Sequence, residues 1–156
     1  MEDEQLMHRA IAAAREGIEK GQTPFGACVA RGGEVICAAH NNVWAEMDIT
    51  AHAEVVAIRH ACRKLGTVDL SGCEMIATCE PCPMCFAACH WANISRIVFG
   101  ARIADAKAAG FDELAISNER MKALGGSGVA LAADFMRDEC VGLFRLWSAR
   151  PDRRVY

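Results

Sequence analysis

Two short segments carry residue types that can hold a metal ion and move protons. Residues 52–54 read His-Ala-Glu, and residues 81–85 read Pro-Cys-Pro-Met-Cys. Cys82 and Cys85 are three positions apart, so on the first turn of a helix their side chains point the same way. Two thiolates and the imidazole of His52 are suitable ligands for Zn²⁺. Because closed structural zinc sites use four protein ligands, a set of three predicts a catalytic zinc with one open position.

A carboxylate lies where zinc chemistry needs a proton carrier. Glu54 is two residues beyond the predicted ligand His52. Zinc lowers the pKa of a bound water toward neutrality, and a carboxylate can carry that proton to a leaving group. This combination suits hydrolytic removal of ammonia from an amidine-like carbon. The alternative is a closed zinc site with a fourth ligand from Cys79, Cys89 or His90, which would leave Glu54 without a role.

Hydrophobic periodicity and turn residues predict an alternation of helices and strands that places both segments. Helices are predicted over residues 3–20, 51–65, 82–91 and 137–148, and strands over 25–30, 34–39, 75–78, 96–100 and 129–132. Thr50 is expected to cap the second helix, and Pro81 to begin the third. Both segments therefore lie at helix N-termini, where the positive end of the helix favours thiolates.

The same alternation predicts the fold class and leaves two stretches unassigned. It is typical of an α/β protein with a sheet between two layers of helices, a three-layer α/β/α arrangement. The sheet should be mixed, because its first two strands flank two glycines and form a hairpin. Residues 41–50 and the stretch that follows the fourth strand have no clear period and are expected to be irregular.

Composition bounds the class of protein. The chain has 156 residues, of which 53% are hydrophobic and 24% charged, as in one globular domain over residues 1–156. No apolar run reaches the roughly 18 residues that cross a bilayer, and the acidic start is unlike a signal peptide, so we expect a cytoplasmic protein without membrane contact. The net charge of −3 makes nucleic acid an unexpected partner without excluding it.

The order of the two segments matches a known signature. His-x-Glu followed by Pro-Cys-x-x-Cys is the pattern of zinc deaminases. From about residue 24 to 146 the chain resembles the cytidine and deoxycytidylate deaminase superfamily, above all bacterial guanine deaminases and tRNA adenosine deaminases. Residues 50–55 (Thr-Ala-His-Ala-Glu-Val) and 79–85 (Cys-Glu-Pro-Cys-Pro-Met-Cys) carry the resemblance. It implies a five-stranded cytidine-deaminase-like sheet between helices, and a homodimer.

Three features resemble guanine deaminases more than the tRNA enzymes. Phe25 stands where the tRNA enzymes usually have valine, and Trp91 matches an aromatic residue after the metal-binding helix. Residues 109–113 (Ala-Gly-Phe-Asp-Glu) resemble a Gly-Phe-Asp-Asp segment of guanine deaminases. By that resemblance Glu113, with Asp112 beside it, helps to bind the base and handles a proton. Glutamate in place of aspartate moves the charge by about one methylene.

The C-terminal end offers a further likeness. Tyr156 ends the chain as in a bacterial guanine deaminase whose terminal tyrosine covers an active site exchanged between subunits. The resemblance therefore predicts that a tail over about residues 145–156 covers an active site, in a domain-swapped dimer. The alternative is a frayed polar tail, as at most chain termini.

Other residues are expected to contact the substrate. Asn41 matches the asparagine that binds the base in both families, and its amide can both donate and accept; a turn formed with Asn42 is the alternative. Phe25 and Trp91 could stack on a planar ring or belong to the core. The backbone N–H of Ala53 is expected to donate to the substrate.

Some features favour the tRNA enzymes instead. Residues 97–102 and 138–140 resemble them, and the arginines at 145, 150, 153 and 154 either meet phosphates or are simply solvated. We therefore predict a zinc-dependent deaminase of a free purine base, converting guanine to xanthine and ammonia. The alternatives are a tRNA adenosine deaminase, a deaminase of a triazine, cytosine or another aminopurine, and a non-enzymatic zinc-binding module.

Overall fold

The computed structural model describes residues 2–156, and its centre is one five-stranded sheet. The strands are β1 (Gly26–Arg31), β2 (Glu34–His40), β3 (Cys73–Cys79), β4 (Arg96–Ala101) and β5 (Ala130–Ala132). Their order across the sheet is β2-β1-β3-β4-β5. β1 is antiparallel to β2 and β3, whereas β3 and β4, and β4 and β5, are parallel. The mixed five-stranded sheet is therefore confirmed.

Helices cover both faces of this sheet. They are α1 (Asp3–Glu19), α2 (Val43–Glu46), α3 (Ala53–Leu65), α4 (Pro83–Trp91), α5 (Ile103–Ala108), α6 (Asn118–Gly125) and α7 (Arg137–Ser148). Side chains alternate across a strand, so Cys28 and Ile76 lie in a core with α1 and α7, whereas Val29 and Met75 lie in a second core with α3 and α4. No helix within residues 2–156 is long and apolar enough to cross a membrane.

Two glycines let the helices of one layer approach the sheet closely. A Cβ atom on Gly26 would collide with the backbone of α1 at Ala10, and one on Gly100 would collide with the Cys140 side chain of α7. Since backbone atoms cannot shift cheaply in a packed interior, α1 and α7 depend on these two positions having no side chain.

The starts of α3 and α4 differ from the prediction by one to two residues. The N-cap of α3 is His52 rather than Thr50, whose hydroxyl bonds to Asp48 in the preceding loop. The N-cap of α4 is Cys82, and Pro83 rather than Pro81 occupies the first helical turn. The second proline of the motif, rather than the first, thus takes the position in the first helical turn that proline prefers. As a result, two predicted metal ligands sit at N-cap positions.

The stretches expected to be irregular contain short helices. Residues 41–50 include α2, and the stretch after β4 includes α5 and α6. Helices of four to eight residues are too short to show a clear period, and they depend on tertiary contacts for stability. One local signal was present: Ser117 caps α6 by accepting the backbone N–H of Arg120. The fifth strand begins one residue later than predicted, at Ala130.

Candidate active site

The candidate site lies at the end of the sheet where two helices begin. β3 ends at Cys79, and the chain runs through residues 80–82 directly into α4. The start of α3 meets the start of α4 here, because the His52 ring lies against both cysteines of the motif. The carboxyl end of parallel strands is where ligands bind in open α/β sheets.

His52, Cys82 and Cys85 have the geometry of a zinc site. The Nδ1 atom of His52 lies 3.6 Å from Sγ of Cys82 and 3.5 Å from Sγ of Cys85. All three ligand atoms lie within 4.8 Å of one another. Tetrahedral zinc with bonds of about 2.05 Å to nitrogen and 2.3 Å to sulfur places those atoms about 3.6 Å apart. The donor set therefore fits zinc, with Nδ1 as the ligand atom of the histidine.

The structure gives the candidate fourth ligands other partners. Within residues 2–156, His52, Cys82 and Cys85 form the group of potential ligands close enough to share one ion. The Cys79 thiol donates to the carbonyl of Arg102, and the ring of His90 bonds to Ser127. Cys89 is buried in the core on the α3 and α4 side. This geometry matches the open three-ligand arrangement rather than the closed one.

Local interactions prepare the cysteines to bind a metal. A hydrogen bond from the Cys85 thiol, assisted by the His52 ring, lowers the pKa of Cys82 to about 4. The same hydrogen bond, together with burial, raises the pKa of Cys85 well above its ordinary value. Cys82 is therefore a thiolate at neutral pH, which is the form that binds zinc. Binding of zinc by both sulfurs would release the proton that Cys85 holds.

Glu54 is a buried carboxylate in the first turn of α3. Burial raises its pKa, and the negative charge of Cys82 acts in the same direction. Glu54 lines a small cavity of about 20 Å³ together with His52, Cys82 and Glu113. A carboxyl group whose pKa is raised toward neutrality can both take and return a proton. The position suits the proton carrier that the sequence predicts, and that role stays a prediction.

Glu113 lies beside the same cavity, although it is far from Glu54 in the sequence. It also lines a larger cavity of about 300 Å³ with Asp112, His52 and Cys82. Burial, followed by the charges of Cys82 and Glu54, raises the pKa of Glu113 to about 7. The larger cavity is at the lower end of the sizes found for small-molecule sites.

Asn41 and Tyr156 meet at the site. Asn41 is fully buried; its Oδ1 accepts the backbone N–H of Val43, and its Nδ2 donates to the Tyr156 hydroxyl at 2.6 Å. The tyrosine ring stacks on the His52 ring with centroids 5.4 Å apart. The C-terminal tail therefore enters the site of its own chain. Arg154 secures it further by lying 4.3 Å over the ring of Trp44.

The remaining predicted contact residues fall in different places. Phe25 lines the small cavity and packs edge-on against Phe111 and Phe144. Ala53 is buried at the start of α3, beside the metal ligand. Trp91 ends α4, at the opposite end of that helix from Cys82, and is 83% exposed. One chain thus does not bring Trp91 to the cavities, and its stacking role stays a prediction.

Several site residues escaped the sequence analysis. Ile49, Met84 and Leu114 form much of the apolar lining of the larger cavity. Thr23 lies 3.4 Å from the Tyr156 hydroxyl. Isolated apolar and hydroxyl residues of this kind carry no spacing signal, because only the fold brings them to the site.

Comparisons with known proteins agree with this geometry. Residues 1–101 match the family model described as the cytidine and deoxycytidylate deaminase zinc-binding region. The chain belongs to this family of zinc-type aminohydrolases, as the resemblance of its motifs predicted.

Relatives from both of the groups that the sequence indicated are among the matches. Guanine deaminase of Bacillus subtilis is 43% identical over 120 residues, which are 76% of this chain and 77% of the relative. The tRNA-specific adenosine deaminase of Aquifex aeolicus is 44% identical over 101 residues, 65% of this chain and 67% of the relative. A solved guanine deaminase from Nitrosomonas europaea superposes with a TM-score of 0.86 at 34% identity, covering 94% of this chain and 85% of that one.

Replacing Glu54 with glutamine should separate zinc binding from turnover. The variant keeps all three ligands, so elemental analysis should still find one zinc per chain. Ammonia release should fall by about a hundredfold or more, because the amide cannot carry a proton. Cys82→Ser is the matched control and should lose the metal. A Glu54→Gln variant that retains more than about a tenth of the rate would make Glu54 a structural residue.

Proposed function

We propose that the protein hydrolyses the free base guanine to xanthine and ammonia. The observation that carries this proposal is the carboxylate of Glu113, which lies in the same small cavity as Glu54 and the ligands His52 and Cys82. Guanine presents a ring N–H and an exocyclic amino group side by side. A carboxylate accepts two such hydrogen bonds in parallel, and charged acceptors bind more strongly than neutral ones.

Each residue of the site has a separate role in the proposed reaction. His52, Cys82 and Cys85 would hold the zinc ion, which would supply the Lewis acidity that prepares a water for attack on the ring carbon that carries the amino group. Glu54 takes a proton from this water and returns it to the departing nitrogen, so that water and guanine become xanthine and ammonia. Glu113 holds the base through its paired donors. In this proposal the backbone N–H of Ala53 and, once the Tyr156 hydroxyl has left it, the amide of Asn41 bind the opposite edge.

The C-terminal tail supports a free base rather than a nucleotide in a polynucleotide. Tyr156 lies over His52 and occupies the amide of Asn41. A base bound to Asn41 must first displace the tyrosine hydroxyl, and the tail then closes over it. An adenosine in tRNA would need a lasting opening for its ribose and phosphates.

The predicted homodimer remains part of the proposal, without the exchange of tails between its subunits. Because the chain already brings its own Tyr156 to its own site, covering that site does not require an exchange between subunits. A homodimer could therefore form with the tails retained in each subunit.

A tRNA adenosine deaminase is the second candidate, since such enzymes match the chain at the same level of identity. The environment of Glu113 argues against it. Adenine lacks the paired-donor edge, so the half-buried Glu113 carboxylate, once covered by the base, would be left without partners at a cost of about 1–3 kcal/mol. This cost amounts to about one to two orders of magnitude in rate.

Glu113→Gln should lower kcat/KM for guanine by about tenfold or more, because the amide offers one acceptor and no charge. Zinc content should stay the same, since no metal ligand changes. Glu34→Gln, an exposed position in the β1–β2 hairpin, is the matched control. An unchanged kcat/KM for guanine would show that Glu113 does not bind the base. A tRNA adenosine deaminase would then be supported as well as a guanine deaminase.

Removing residues 154–156 should relax the choice of substrate. Without Tyr156 over His52, the larger cavity opens and guanosine gains access. The ratio of kcat/KM for guanine to that for guanosine should fall by about tenfold or more. Arg153→Ala, an exposed change in the same tail, should leave the ratio as it is. A ratio that the truncation does not move would show that the tail has no part in selecting the substrate.

A further inference from the structure

Glu80 is a buried carboxylate that the proposed reaction does not use. It follows the last residue of β3, precedes Cys82 by two positions, and is 5% exposed. Its Oε1 accepts the backbone N–H of Ile103 at 3.1 Å, and its Oε2 accepts the backbone N–H of Asn118 at 2.9 Å. Within residues 2–156 no lysine, arginine or histidine forms an ion pair with it. The two amides are therefore its bonded partners, and a buried carboxylate is costly without such partners.

The two amides mark the ends of one segment. Ile103 is the first residue of α5, and Asn118 is the first residue of α6. Residues 103–118 lie between these bonds and carry Glu113 near their middle. The side chain of Asn118 also donates to the carbonyl of Pro81 at 2.7 Å. Three hydrogen bonds therefore join the metal-binding loop, residues 80–82, to both ends of the segment that carries Glu113.

The segment needs this attachment because much of it has no regular structure. Residues 109–117 lie between α5 and α6, and their backbone bonds are local, such as Glu113 N–H to the carbonyl of Phe111. Phe111 anchors the middle in the core by packing against Phe25 and Trp147. The ends are held to the metal-binding loop by Glu80 and Asn118.

We propose that Glu80 is a positioning residue for the substrate: by bonding to Ile103 and Asn118, it fixes Glu113 at a set distance from the zinc ligands. The inference rests on the proposed role of Glu113 toward the base. Small displacements of a positioned group are costly in catalysis, since about 1 Å can reduce the rate by about a hundredfold. Glu80 thereby connects the metal-binding loop to the segment that carries Glu113. Cys82 and Glu113 are 31 residues apart in the chain.

The first test measures the attachment without a substrate. In Glu80→Gln the amide retains one acceptor, and its NH₂ group faces a backbone N–H, so one end of the segment is released. Hydrogen–deuterium exchange within residues 103–118 should accelerate by about tenfold or more, while exchange in α3 and the zinc content stay the same. Glu74→Gln, at the opposite end of β3 and paired with Arg96, should change neither. Unchanged exchange in residues 103–118 would overturn the proposal.

Two further variants separate the length of the Glu80 side chain from its charge and test the bond made by Asn118. Glu80→Asp keeps the charge but is too short to reach both amides, so it should behave like Glu80→Gln. Full wild-type behaviour in Glu80→Asp would mean that the charge alone matters, which would overturn the proposal. Asn118→Ala removes only the side-chain bond to Pro81 and should accelerate exchange in residues 110–118. If Glu80→Gln does not fold, Glu80→Asp serves as the test, because it loses the simultaneous bonds to both amides and keeps the charge.

The second test is kinetic and separates positioning from general stability. Glu80→Gln should lower kcat/KM for guanine by about tenfold, but by less than about twofold when Glu113 is already replaced by glutamine, because residues that act as a unit are non-additive. An equal fold-reduction of kcat/KM in the wild-type and Glu113→Gln backgrounds would assign Glu80 a structural role. Absence of guanine turnover by the wild-type protein would contradict the proposed function alone, and the exchange measurement would still decide on Glu80.

Discussion

The contact of one imidazole with two sulfur atoms is the interaction on which the rest of the site depends. His52 and Cys82 are the N-cap residues of α3 and α4, and neither side chain caps its own helix. A missing side-chain cap costs about 0.5–2 kcal/mol per helix, which metal binding by the same two side chains would offset. The two helices can begin at the same place because both follow the carboxyl end of the sheet, on the face where Val29 and Met75 form their core. The fold thus uses two helix starts as one metal site.

Around this site, three carboxylates are distinguished by their surroundings. Burial beside the Cys82 thiolate raises the pKa of Glu54, and partial burial raises that of Glu113 to about 7. Glu80 accepts two backbone amides and holds the chain instead. In the proposed reaction, groups of one chemical type thereby serve as proton carrier, base acceptor and structural link, as their environments dictate. The tail adds the Tyr156 hydroxyl, which accepts a hydrogen bond from Asn41 and would compete with a base for that amide in the proposed function.

Local patterns allowed much of this to be predicted from the sequence. The three metal ligands and Glu54 lie within short motifs whose spacing indicates their geometry, and the main helices and strands have clear periods. The predicted starts of α3 and α4 were wrong by one to two residues. His52 and Cys82 take the N-cap positions, which are more often occupied by residues such as Thr50. The bonds from Glu80 to α5 and α6, and from Asn41 to Tyr156, join positions 23 to 115 residues apart. No local pattern reveals such contacts, because the packing of the whole chain creates them.

Guanine as a free base is proposed to bind in the larger cavity beside His52, Cys82 and Glu113, with Glu54 in the small cavity that shares these three residues. Ammonia release from guanine, adenine, cytosine and guanosine, measured beside inosine formation in a tRNA anticodon stem-loop, tests it most directly. Guanine should be turned over with a kcat/KM at least about a hundredfold above that of the other substrates. Inosine formation in the stem-loop, with no ammonia released from guanine, would contradict it.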